Sequence, residues 1–139
     1  MAGVGVALLC ASAAGHITLL DPNGGEEILA GSSFSMSWRI DIRHNQQNWD
    51  IWYSTTGPNS DWIEVAVDLD PGATNAGSIH NFDWTVPDIL AENVWVRVRM
   101  DNVGTDYFDV SNSSFAIVPG PGVVSLLAVG SLAGIRRRR

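Results

Sequence analysis

The chain has 139 residues, room for one ordinary domain, and 45% of them are apolar, enough for a true core and too many for wholesale disorder. There is no lysine, the last four residues are all arginine, and residues 16–118 hold four arginines against all fifteen acids, a net of −11. Such a body repels phosphate backbones, which sets nucleic acid aside as a partner. The single Cys10 excludes an intramolecular disulfide and a cysteine-based zinc cluster.

In chain order, residues 1–15 are small and apolar: Val4, Val6, Ala7, Leu8 and Leu9 lead into Ala11-Ser12-Ala13. That is the apolar run and small-residue cleavage site of a secretory signal, here without a basic residue ahead of it. The expectation is export, with a mature domain over residues 16–118.

From there period-two alternation dominates, the mark of half-buried strands. Ile17 and Leu19 start the series. Phe34, Met36, Trp38 and Ile40 alternate with serines and Arg39; Trp49, Ile51 and Tyr53 alternate with Asp50, Trp52 and Ser54. Ile63, Val65 and Val67 follow, then residues 79–85, then Val94, Val96, Val98 and Met100, then Phe115 and Ile117. Turn clusters separate them, among them Asp21-Pro22-Asn23-Gly24-Gly25, Asp70-Pro71-Gly72 and Asp101-Asn102-Val103-Gly104. About seven short strands in some hundred residues predict an all-β antiparallel sandwich, a small barrel being the other arrangement. Trp38, Trp49 and Trp84 are the expected core anchors.

After Val118 the chain breaks at Pro119-Gly120-Pro121-Gly122, runs uncharged over residues 123–135, and ends in Arg136, Arg137, Arg138 and Arg139. Thirteen helical residues rise about 20 Å, short of the hydrocarbon core of about 30 Å. A marginal apolar helix with a basic stop is predicted, either a sorting tail or an ordinary single-span anchor.

Two resemblances attach to these residues. Residues 118–139 resemble the PEP-CTERM sorting signal, whose pattern is Val-Pro-Glu-Pro-Gly, an apolar helix and an arginine-rich end; Gly120 stands in place of the glutamate. This implies an exosortase-like processing enzyme as partner and transient anchoring in the inner membrane. Residues 16–118 resemble an immunoglobulin-like domain of bacterial surface proteins and of the fungal Ser/Thr-rich GPI-anchored family related to yeast cell-wall-synthesis proteins. The motifs that carry it are Asp21-Pro22-Asn23-Gly24-Gly25-Glu26, Gly31-Ser32, Ser37-Trp38, Asp50-Ile51-Trp52-Tyr53-Ser54, Asp83-Trp84-Thr85-Val86-Pro87 and Ser114-Phe115-Ala116-Ile117. The resemblance implies an immunoglobulin-like or fibronectin-like sandwich at a cell surface, and no catalytic activity.

Few residues offer chemistry. His16, His44 and His80 lie apart, without His-x-His or His-Glu-x-x-His spacing, and are expected as separate solvated loop side chains. There is no Gly-x-Ser-x-Gly elbow and no phosphate-binding loop, so no catalytic residues are expected. A hydrolase would need two acids, such as Glu64 and Asp83, converging at roughly 5–10 Å. No cofactor is expected, with one exception: Asp68 and Asp70, or Asp101 and Asp106, offer paired carboxylates at turns that suit Ca²⁺, though without EF-hand spacing. The best binding candidates are Trp52, Trp95 and Arg97, with Arg99 beside them and Trp62 as a third ring. On adjacent strands they either stack on sugars or seal a sheet face by cation–π contact. Together these features lead to a secreted, non-catalytic, structural or adhesive module of the cell surface or extracellular matrix, its partners extracellular polysaccharide or envelope proteins. The alternative is a carbohydrate-binding module using the exposed tryptophans.

Overall fold

A computed structural model of the chain describes residues 15–120. The expected signal segment, the apolar tail helix, Pro121 and Arg136–Arg139 lie outside the described residues; Pro119 lies within them, just past the last strand.

The fold is all-β. Among the described residues nine strands form two sheets: β1 (Ile17–Asp21), β2 (Glu27–Leu29), β3 (Ser33–Ile40), β4 (Gln46–Ser54), β5 (Ile63–Leu69), β6 (Ile79–Thr85), β7 (Ala91–Asn102), β8 (Tyr107–Val110) and β9 (Phe115–Val118). One sheet has the order β1-β3-β6. The other runs β2-β9-β7-β4-β5, with β8 also paired to β7. All pairings are antiparallel except β2 with β9. The seven predicted strands are all present, and β2 and β8 are additional. β2 has three residues and β8 four, too short for alternation to register. β8 and β9 lie end to end along β7, divided by Ser111-Asn112-Ser113-Ser114.

The alternating residues of β7 show why this strand sits centrally. Val94, Val96, Val98 and Met100 are fully buried, while Trp95, Arg97, Arg99 and Asp101 take the other face. The two sheets share one apolar core. Trp38 of β3 meets Trp49 of β4 edge-on, ring centroids 5.4 Å apart, and Trp84 of β6 meets Phe115 of β9 at 88°. Trp38, Trp49 and Trp84 are buried as expected, and each removes roughly 150–250 Å² from water. One part of the alternation fails at β5. Ile63 and Val67 were expected inward but are 46% and 38% exposed, because β5 is an edge strand whose register shifts against β4.

The Asp21–Glu26 turn pins this frame together. The Glu26 carboxylate accepts hydrogen bonds from the backbone N–H groups of Asn23 and Gly24. Asn23 then holds the β8–β9 junction, its side chain accepting from Asn112 N and its carbonyl from Ser113 N. Gly24 has φ 138°, and a Cβ there would lie 1.9 Å from Ser113 Oγ, so only glycine fits.

Candidate functional site: the outer face of β4, β7 and β8

The register of β4 on β7 builds this face. Trp52 pairs with Arg97 and Asp50 with Arg99, so the four side chains alternate along the outer surface. β8 adds Phe108 opposite Arg99. The loop after β4 brings in the last ring. Ser54 donates to Ser60 O, Thr56 donates to the Asp61 carboxylate, and Asp61 takes a left-handed φ of 51°, which Asp tolerates better than most residues. Trp62, the next residue, then lies over Arg97.

The Arg97 guanidinium carbon is 4.5 Å from the Trp52 ring centroid, 4.6 Å from Trp62 and 5.3 Å from Phe108. Arg97 makes no ion pair among the described residues. Three π-faces take the place of a carboxylate. Burial first, and then the charge of Arg99, push Arg97 below the ordinary guanidinium value. Arg99 is placed differently: its carbon is 5.4 Å from Trp52, while its nitrogens bind the Asp50 carboxylate at 2.7–2.8 Å.

Asp50 is 1% exposed. Its Oδ2 takes Arg99, and its Oδ1 accepts from Asp68 N at 2.9 Å. That second bond has a cause in the strand. The β4–β5 register slips between Trp49 and Ile51, and Asp68 adopts φ 55°, which leaves its N–H without a ladder partner for the buried carboxylate to satisfy. Asp101 and Asp106 each lie 3.9 Å from Arg99. Burial alone would lower Arg99, but the hydrogen bond and charge of Asp50, with Asp101 and Asp106, raise it.

The expected site residues are thus divided. Trp52, Trp62 and Arg97 come together as one stack. Trp95 shares the outer face, as expected, but lies opposite Ser54 and makes no ring contact with Trp52 among the described residues. The acidic turns are engaged elsewhere. Asp70 caps its own turn by accepting from Gly72 N, Asp68 is exposed, and Asp101 and Asp106 face Arg99. Among the described residues no group of three or more His, Cys, Asp or Glu side chains is placed to hold a metal ion. Glu64 and Asp83 do line one groove of about 370 Å³, open between the edges of β5 and β6.

The histidines depart from expectation. His16 and His44 are not separate: Nδ1 of His16 lies 2.6 Å from Nε2 of His44, and both rings pack on Tyr107. They stand 28 positions apart in the chain, so only the tertiary fold makes them neighbours. His80 is not a solvated loop group either: it lies in β6, half-buried, its ring against Trp38 and Trp49, with Nε2 2.8 Å from Ala73 O.

No family model matches the chain, and no curated protein matches it. Among solved structures it is similar to an AA10 lytic polysaccharide monooxygenase from Streptomyces lividans, with a TM-score of 0.46 and 14% identity over 68% of this chain and 59% of that one. The chain therefore spans less than two thirds of that protein. A likeness this slight carries neither fold nor function across.

Proposed function

We propose that this chain is an exported, surface-held module with an immunoglobulin-like or fibronectin-like sandwich fold, serving a structural or adhesive role. The strand order supports the fold reading: a three-stranded sheet faces one of six, and β2, which follows β1, pairs in parallel with the last strand. The single observation that carries the functional reading is the stack of Trp52, Arg97, Trp62 and Phe108. It gives the outer sheet a stiff aromatic surface, with Phe108 49% exposed. Exposed rings around a desolvated cation form contact surfaces rich in binding energy. Removal of residues 1–15 and sorting through the tail complete the proposal; both rest on sequence pattern.

Replacing the gene with a Trp62→Ala/Phe108→Ala version tests the role. Cells should lose surface cohesion as fully as in a gene deletion, while the protein remains folded and exported. A silent deletion under surface-growth conditions would overturn the adhesive reading. A second reading, glycan binding, draws on the same rings. Binding of the purified protein to host extracellular polysaccharide should weaken at least about tenfold on loss of two hot-spot rings if that reading holds.

A further inference from the structure

β6 is an edge of the three-stranded sheet, and its pairing is regular from end to end. Seven consecutive pairs join it to β3, from Ser33 opposite Thr85 to Arg39 opposite Ile79, without a register shift. Two bonds at its ends set the parity: Val86 N donates to Ser32 O at 2.8 Å, and Ile40 N donates to Ser78 O at 3.0 Å. The even-numbered residues therefore turn their backbone groups to β3, while Ile79, Asn81, Asp83 and Thr85 turn theirs to the open side. No strand pairs with that side among the described residues. The side chains of the same four residues are exposed, Ile79 at 58%. The turn after β5 closes over His80, whose Nε2 lies 2.8 Å from Ala73 O, so the open length runs from Asn81 to Thr85.

Such an edge is a template for another strand, and proteins guard theirs with bulges, proline and charge. β5, across the groove, has a register shift and the left-handed Asp68. β6 has neither, and Asp83 is its one acid. The groove beside it, about 370 Å³, has two kinds of wall. Tyr53, Val65 and Trp84 are buried or half-buried, with the rings of Tyr53 and Trp84 5.4 Å apart. Glu64 from β5 and Asp83 from β6 are exposed.

An added strand would place successive side chains on opposite faces. One set meets Tyr53, Val65 and Trp84, and the other stands beside Asp83 and Glu64. We propose that β6 binds an extended segment of another protein, in which apolar residues alternate with arginine or lysine, as a fourth strand. Backbone hydrogen bonds supply affinity, and the groove selects the side chains. Charge selects the occupant. A second copy brings the same acids and a net −11 over residues 16–118, whereas a basic segment is drawn in. β6 lies in the other sheet from the Trp52–Arg97 stack, and strand addition there is independent of an adhesive role.

The test uses the full chain and a fluorescent peptide of about ten residues in which valine alternates with arginine. Anisotropy at 20 mM NaCl should show one peptide bound per chain. An acidic counterpart, valine alternating with glutamate, should bind at least about 100-fold more weakly, and Glu64→Gln/Asp83→Asn should weaken the basic peptide at least about tenfold. Equal binding of the two peptides, or no binding of either, would overturn the site. Amide hydrogen exchange reads the backbone directly. The bound peptide should slow exchange at Asn81, Asp83 and Thr85 at least about tenfold, without a like effect at Phe82 and Trp84. Thr85→Pro removes an outward N–H and leaves the β3 bonds in place. Once near-ultraviolet circular dichroism shows this variant folded, it should lose binding. Tight binding with unchanged exchange at the three amides would mean charge adsorption alone and overturn strand addition. Two results would give the edge to another occupant and overturn the choice of partner. One is a dimer at 20 mM NaCl that the peptide dissociates. The other is peptide binding that appears only after Arg136–Arg139 are removed.

Discussion

Asp50 and Arg99 show most clearly how one residue pair can fix a strand register. A carboxylate 1% exposed is tolerable only when paired and fully hydrogen-bonded, and Arg99 and Asp68 N supply both conditions. The Arg99→Met variant leaves that charge buried without its counter-ion. It should lose about 2–4 kcal/mol in urea unfolding, toward the lower end because the Arg99 side chain is 30% exposed. Asp109 poses the opposite case. It accepts from Leu19 N and so ties β8 to β1. Burial is the main influence raising its carboxyl above 3.8; Asp41 adds to this, and hydrogen bonds from the Leu19 and Val110 N–H groups oppose it. A group that holds its proton more tightly when folded withdraws stability as pH rises through its titration. An amide keeps the acceptor for Leu19 N without the charge. Asp109→Asn should therefore be more stable than the parent at pH 7, with the difference closing at pH 3, as read from urea midpoints at both pH values.

Among the elements, the Asp21–Glu26 turn and the β8–β9 break act as one unit, although about ninety residues of sequence separate them. Gly24→Ala places a Cβ 3.2 Å from Ser113 N as well as against its hydroxyl, in a conformation that L-residues rarely adopt. It should cost about 1–3 kcal/mol, and the double variant with Ser113→Ala should recover only part of this, since the backbone strain remains. The Asn-Gly-Gly turn was legible in the sequence; its partner was not, because nothing local encodes a contact over that distance. The same limit applies to the outer face. Alternation correctly assigned Trp52, Trp95 and Arg97 to one side of the sheet. It could not show that Arg97, not Trp95, stands opposite Trp52, because cross-strand pairing follows register, and the register of β4 on β7 shifts between Gln46 and Asn48. Ile63 and Val67 read as core for the same reason: the pattern marks a strand without saying that it lies at an edge. The His16–His44 pair had no sequence signal at all beyond the presence of two histidines.

At the scale of the whole molecule, the two sheets close differently on their two sides. On one side Asp109 bridges β8 to β1. On the other, β5 and β6 face each other across the groove that Glu64 and Asp83 line, and both are edge strands with unpaired backbone toward solvent. Open edges invite pairing between copies, and native proteins discourage it with charge and with bulges. This chain uses both: Asp68 breaks the regularity of β5 with its left-handed φ, and Glu64, Asp68 and Asp83 put negative charge along the two edges. These three charges are part of the domain's −11, and their repulsion acts at long range when salt is low and fades once the screening length drops to about 3 Å in 1 M salt. The parent should sediment as a monomer at 20 mM NaCl. The Glu64→Gln/Asp68→Asn/Asp83→Asn variant should self-associate under the same conditions, and the parent should approach that behaviour as salt increases. Sedimentation velocity across the salt series decides it. A variant as monomeric as the parent at every salt concentration would mean that the bulge, not the charge, protects the edge.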